Sequence, residues 1–119
     1  MIQPAMDKKI SVVIVGVRDM DRAVDFYRSV LGLRLKFRTP EYSEFRTASI
    51  ILALEKRREK ILPTGPSFTF PTKSIHRDRE KLLRAGVKFW RDLQEQPFGK
   101  VLMARDTEGN VFEIVQYEK

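Results

Sequence analysis

The segment of residues 17–33 is followed by a looser copy of itself at residues 72–87. Met20 corresponds to Ile75 in this comparison, an offset of 55 positions along the chain. Repetition at such a period is typical of one supersecondary unit that is used twice. The repeat therefore predicts two similar structural modules, and this constrains the fold more than any single motif does.

Each copy predicts the order strand, helix and three strands. In the first copy a β-branched run at Ser11–Val17 favours a buried strand. Asp19 then occupies a capping position, apolar residues recur at helical spacing, and Gly32 predicts the end of the helix. The other predicted elements are strands at Leu33–Arg38, Glu44–Thr47, Ser49–Glu55, Ser67–Phe70, Val87–Trp90, Lys100–Arg105 and Val111–Gln116, and a second helix at Ile75–Ala85.

The length of 119 residues is that of one ordinary domain. We expect a single domain over 1–119, with a first module at about 9–56, a linker at 57–65 and a second module at about 66–117. A unit of about 50 residues buries too little surface to be stable alone, so the modules should share one core.

Composition excludes several classes of protein. With no cysteine, the chain has no disulfides and no thiolate chemistry. It has no apolar run of signal-peptide or membrane-spanning length, which favours a cytoplasmic protein without a membrane partner. A single asparagine and 33% charged residues are typical of thermophilic proteins.

The net charge of +7 invites a nucleic-acid interpretation, but the distribution of charge argues against one. Most basic residues have an acidic neighbour, as in Arg18-Asp19, and this pattern is typical of a solvated surface that is rich in ion pairs. We therefore expect no nucleic-acid partner.

Three stretches of the chain carry a family resemblance. They are residues 17–33, the sequence Gln-Pro-Phe-Gly at 96–99, and residues 106–116. Together with the repeat they resemble the vicinal oxygen chelate superfamily, which includes glyoxalase I, bleomycin resistance proteins and extradiol dioxygenases. The resemblance implies an α+β fold in which two βαβββ modules form a curved, eight-stranded mixed sheet around a cavity. It also implies a homodimer.

Metal-dependent members of that superfamily hold a divalent ion with side chains from the first and last strands of each module. The corresponding positions here are Val12, Ala53, Ser67 and Glu113, of which only Glu113 is a family ligand. Valine and alanine have no donor atoms, and a serine hydroxyl is a poor ligand by itself. We therefore expect no metal or other cofactor. The single histidine, His76, lies near a helix start and is predicted to be exposed there.

Glu113 has two interpretations. Strand alternation places it on the face opposite its apolar neighbours Phe112 and Ile114, and this face would be the cavity wall. A desolvated carboxyl group there could act as a general acid or base. Alternatively, Glu113 forms a structural ion pair with a nearby cation.

Other polar and aromatic residues are weaker candidates, because each could instead face solvent or the core. Thr69 and Arg91 are two such positions. The predicted ligand-binding set consists of Val12, Tyr42, Arg46, Ala53, Ser67, Phe68, Trp90, Arg105 and Glu113.

These observations favour a metal-independent protein, similar to glyoxalases and bleomycin resistance proteins, that binds a small organic molecule in the cavity of a homodimer. The positive net charge disfavours cationic ligands such as bleomycin and favours neutral or anionic ones. The alternative is a lyase or isomerase in which Glu113 is the general base or a metal ligand. A third interpretation, an interaction module that uses only its dimer surface, would apply if Phe and Leu side chains filled the cavity.

Overall fold

The computed structural model describes residues 8–59 and 66–118 and confirms the βαβββ order in both copies. The strands are β1 (Val12–Val17), β2 (Arg34–Arg38), β3 (Tyr42–Arg46), β4 (Ile51–Lys56), β5 (Pro66–Pro71), β6 (Phe89–Gln96), β7 (Gly99–Arg105) and β8 (Val111–Tyr117). The helices are α1 (Met20–Asp25), which continues directly into a π-helical turn at Phe26–Val30, and α2 (Ile75–Arg84).

The eight strands form two four-stranded mixed sheets with the same internal order. The first sheet is ordered β1-β4-β3-β2 and the second β5-β8-β7-β6. In each sheet the first and last strands of the module pair in parallel, and the other pairs are antiparallel. The repeat in the sequence is thus a repeat in the topology. Among the described residues the two sheets are not joined by strand pairing, so the curved surface is not closed within one chain.

A glycine follows each helix as predicted, and α1 begins at its predicted cap. The Asp19 side chain accepts a hydrogen bond from the backbone N–H of Arg22 at 3.1 Å, which caps α1. Gly32 and Gly86 follow the two helices with φ of 72° and 80°, a region in which glycine has no steric penalty. Neither described helix has the length and apolar character that crossing a membrane requires.

One hydrophobic core joins the two modules. Phe26 and Tyr27, from the turn after α1, reach the second sheet, with ring centroids 6.3 Å from Phe112 and 6.4 Å from Phe68 respectively. Tyr27 is fully buried and also packs against Phe45 of the first sheet. The prediction of a shared core is therefore confirmed. Each sheet has one face toward this core and one face away from it, and we call the second the outer face.

The turn between β7 and β8 ties the second module to α1. Buried Asp106 accepts hydrogen bonds from the Tyr27 hydroxyl at 2.7 Å and from the backbone N–H groups of Glu108 and Asn110 at 2.8 and 2.9 Å. Burial raises the pKa of Asp106, although these hydrogen bonds act in the opposite direction.

Glu108 in the same turn supplies a second tie. Its carboxylate accepts from the backbone N–H groups of Arg18 and Asp19 at the start of α1 and pairs with Arg22 at 2.6 Å. Burial would raise the pKa of Glu108, but the hydrogen bonds from Arg22 and from the two backbone groups lower it below its usual value.

The strand bounds lie within two residues of the predicted ones, except in β6. β6 runs from Phe89 to Gln96 rather than from Val87 to Trp90. Its second half is mostly polar and exposed because β6 is an edge strand, so no apolar alternation marks it in the sequence. β3 begins at Tyr42, two residues before the predicted start.

Replacing Tyr27 with phenylalanine should destabilise the fold. The change removes the hydroxyl that donates to buried Asp106, and a buried group that loses a hydrogen bond costs about 1–3 kcal/mol. Chemical denaturation would measure the loss. Tyr117→Phe is the matched control, because that side chain is 61% exposed and its free energy of unfolding should not change. Equal stability of the two variants would contradict the assigned role of the Tyr27 hydroxyl.

Candidate functional site

Glu113 lies at the centre of the outer face of the second sheet. On β8 the core-facing Phe112 and Ile114 alternate with Val111, Glu113 and Val115, which lie outside the core cluster. Met103 of β7 is its cross-strand neighbour, and Val101 lies opposite Val115 in the same pair of strands. The carboxylate therefore projects from a surface that is otherwise largely aliphatic.

The hydrogen-bond partner of Glu113 comes from β5. Thr69 lies directly opposite it in the strand register, and the Thr69 hydroxyl donates to Glu113 Oε1 at 3.1 Å. Among the residues that the structure describes, no lysine, arginine or histidine comes within 4.0 Å of the carboxylate. The structural ion pair that was the alternative for Glu113 is thus not formed with any of these residues, and the remaining acceptor capacity of the carboxylate faces outward.

The outer face of the first sheet combines apolar residues with a second carboxylate. Val12 and Ile14 of β1 are 36% and 50% exposed, and Ala53 of β4 lies between Ile14 and Glu44 in the strand register. The Tyr42 hydroxyl donates to Glu44 at 2.6 Å. Glu44 thus lies opposite Ala53, which is one of the four positions where the family resemblance implies a metal ligand.

Glu44 is an ionised group in this setting. The hydrogen bond from Tyr42 lowers its pKa, and Lys36, whose Nζ lies 3.3 Å away, lowers it further against the opposing effect of desolvation. Glu44 was not among the predicted site residues. Its position two residues after Tyr42 in a strand could have placed it on the same face as Tyr42, because residues at i and i+2 share one face.

The residues at the four expected ligand positions do not fit a divalent metal ion. Val12 and Ala53 have no donor atoms, and Ser67 offers one hydroxyl. In 8–59 and 66–118 no three His, Cys, Asp or Glu side chains are arranged to hold an ion. His76 lies in the first turn of α2 and is exposed.

The structure brings some predicted site residues together and separates others. Thr69 lies beside Glu113, while Tyr42 and Val12 share the outer face of the first sheet with Ala53. Arg46 is exposed at the end of β3.

Three predicted residues lie elsewhere. Phe68 points to the core side of β5, where its ring stacks on Phe112 at 5.8 Å. The half-buried Trp90 ring lies under the guanidinium of Arg91, 5.4 Å from ring centroid to Cζ. Arg105 lines a separate cavity next to Lys88.

An apolar cavity of about 370 Å³ lies where the modules meet, and no sequence pattern predicted it. It is bounded by the β3–β4 turn of the first module and by β5 of the second. Its lining residues include Leu33, Ile50, Leu52, Phe68 and Phe70. Phe68 therefore contributes to a pocket wall, although not to the face that carries Glu113.

Solved structures with the same fold cover nearly the whole chain. A genomically encoded fosfomycin resistance protein from Listeria monocytogenes superposes with a TM-score of 0.83 at 14% identity, covering 95% of this chain and 96% of its own. A lactoylglutathione lyase from Agrobacterium tumefaciens gives 0.76 at 18% identity, covering 92% and 94%. TioX from Micromonospora sp. ML1 gives 0.73 at 22% identity, covering 92% and 99%. At these identities the likeness shows the fold alone.

Comparison by sequence gives the family. No curated protein matches the chain significantly. The profile of the Glyoxalase/Bleomycin resistance protein/Dioxygenase superfamily, however, matches residues 9–114, which contain both modules and the candidate site. The chain therefore belongs to the Glyoxalase/Bleomycin resistance protein/Dioxygenase superfamily, as its repeat and its three motifs predict.

Proposed function

We propose that this protein is a metal-independent binder of a small neutral or anionic organic molecule, held against the outer face of the second sheet. The observation that carries the proposal is the environment of Glu113. A single carboxylate with one hydroxyl partner stands among Val111, Val115 and Met103. Apolar walls with few polar groups are typical of ligand sites, in which the polar groups orient the ligand.

The chemistry of this face defines the ligand class. Val111 and Val115 are 1% exposed and lie beneath the site, so the half-buried Met103 supplies the apolar contact. Glu113 accepts a hydrogen bond from a hydroxyl or amide group of the ligand. The net charge of +7 favours the approach of neutral or anionic molecules over cations. A lactoylglutathione lyase and a fosfomycin resistance protein share this fold, which is compatible with a small organic ligand.

A second copy of the chain would complete the cavity. Ile10, Val12 and Ile14 form an exposed apolar row, 72%, 36% and 50% exposed, along the edge strand β1. Such edges are normally covered in soluble proteins. The radius of gyration, 15.5 Å, also exceeds the value of about 13.5 Å expected for a compact chain of this length. Both features support a homodimer in which an outer face of one chain meets the partner.

The alternative is a lyase or isomerase that uses Glu113 as a general base. The observation in its favour is the lack of a cation beside Glu113 among the described residues, which leaves an oxygen able to accept a proton from a carbon next to a carbonyl group. An arginine would then have to stabilise the enediolate. Conversion of a bound carbonyl compound by the wild type would support this reaction over simple binding.

Glu113→Gln tests the proposed site directly. The amide oxygen can still accept from Thr69 and no cation is stranded, so we expect a loss of stability of about 1 kcal/mol or less. Ligand affinity should fall, as measured by thermal shifts in a screen of carbonyl-bearing and anionic small molecules.

The matched control is Glu108→Gln. This change removes the charge that holds Arg22 and the start of α1, so it should cost about 1.5–3 kcal/mol and leave ligand affinity unchanged. A loss of about 3–5 kcal/mol in Glu113→Gln with unchanged affinity would identify a structural ion pair and exclude Glu113 from the site.

Elemental analysis of the purified protein should find well under one divalent ion per chain. The reason is that Val12 and Ala53 supply no donor atoms, which leaves Glu113 with hydroxyl groups only. One equivalent of a tightly held transition metal that survives chelation would contradict the metal-independent proposal and favour the enzyme.

Light scattering should report about twice the chain mass of 13.9 kDa. Ile14→Lys places a charge in the exposed row on β1 and should shift the protein toward the monomer. Leu83→Lys is the control: Leu83 is 47% exposed on α2, so its replacement should leave the dimer intact. A wild-type monomer at micromolar concentration would argue against the completed cavity.

A further inference from the structure

A second cavity, of about 400 Å³, lies between the end of α2 and the β7–β8 turn. Neither Glu113 nor Thr69 lines it, so it is separate from the proposed site. Its volume is in the range of small-molecule pockets. Three basic residues, Arg22, Lys88 and Arg105, lie along its wall.

Two of these cations are not neutralised by the residues described. The backbone N–H of Arg105 donates to the carbonyl of Lys88 at 2.9 Å, so the two residues are adjacent at the ends of neighbouring strands. Neither side chain forms an ion pair within 4.0 Å in the part of the chain that the structure describes. Both are exposed.

The acidic residues of this region have their own partners. Asp106 accepts from the Tyr27 hydroxyl and from Asn110 at 2.7–3.0 Å, and Glu108 pairs with Arg22 at 2.6 Å. Their hydrogen bonds are directed into the protein. Arg22 and Glu108 offset each other, and the two cations Lys88 and Arg105 outnumber the single carboxylate of Asp106, so the net charge around the cavity is positive.

The cavity also has an apolar wall. Phe26 and Val87, both nearly buried, line the same space as the basic residues. The wall thus offers cations and apolar surface to one ligand.

We propose that this cavity binds a small organic anion, a carboxylate or a phosphate monoester. The anionic group lies between Lys88 and Arg105, and the hydrocarbon part lies on Phe26 and Val87. The proposal is independent of the function of Glu113.

Titration calorimetry of the full chain with phenyl phosphate, benzoate and inorganic phosphate, at constant ionic strength, tests this site. Saturable binding of phenyl phosphate or benzoate, and weaker binding of inorganic phosphate, is expected. A comparison of phenyl phosphate with benzoate shows whether the cavity prefers a phosphate monoester or a carboxylate. Binding of neither organic probe, or equally tight binding of inorganic phosphate, would overturn the proposal.

Variants locate the binding. Lys88→Gln should weaken the affinity at least several-fold, and Lys88→Gln with Arg105→Gln by about tenfold or more, or about 1.4 kcal/mol. Arg77→Gln with Lys81→Gln, which removes the same charge from exposed positions of α2, should not weaken it. Equal weakening in this control would show a general charge effect and refute the site, as would unchanged affinity in Lys88→Gln.

Discussion

The contact between the β7–β8 turn and α1 is the interaction on which the rest of the structure depends. A carboxylate that is buried at a joint is stable only if its oxygens are hydrogen-bonded. Asp106 meets this requirement with the Tyr27 hydroxyl and the groups of its own turn. The aromatic cluster around Tyr27 then packs in a defined register, because its hydroxyl is held at one point. Two units that are each too small to be stable become one domain through this contact.

The contact between the β7–β8 turn and α1 also determines which surfaces remain available for function. Since the helix-bearing faces of both sheets are used for the common core, the opposite faces point outward. Small and β-branched residues such as Ala53, Val101 and Val115 lie on these outer faces and are themselves almost fully buried. The core-facing sides of the strands stabilise the fold, and the proposed binding site lies on the opposite side of the second sheet.

The fold could be predicted from the sequence because it depends on local signals that occur twice. The apolar spacing of α1, its Asp19 cap and the glycine stops all specify structure within a few residues. The family follows from the same segments. The polar half of β6 was missed, because an exposed edge strand leaves no periodic apolar signal.

The candidate site was predictable only in part. Alternation along β8 gives the face of Glu113, and the position of Thr69 follows once β5 and β8 are paired. Glu44, the cavity lined by Phe68 and the cluster around Lys88 depend on register and on the packing of distant segments. Register and the packing of distant segments cannot be deduced from sequence spacing. The strands of Arg105 and Phe68 were therefore predictable, but the cavity beside Lys88 and the ring stack on Phe112 were not.

The way in which the helices are capped differs between the two halves. The first turn of α1 is held by Glu108 from the second module, whereas the backbone N–H of Ile75 at the start of α2 is held by Gln116 of its own module. Asp19 also caps α1 from within the first module, so α1 is held from both modules, whereas Ser74 before α2 forms no side-chain cap. The two halves are therefore not interchangeable: a change in the β7–β8 turn reaches the start of α1, while the start of α2 is held from β8 of its own module.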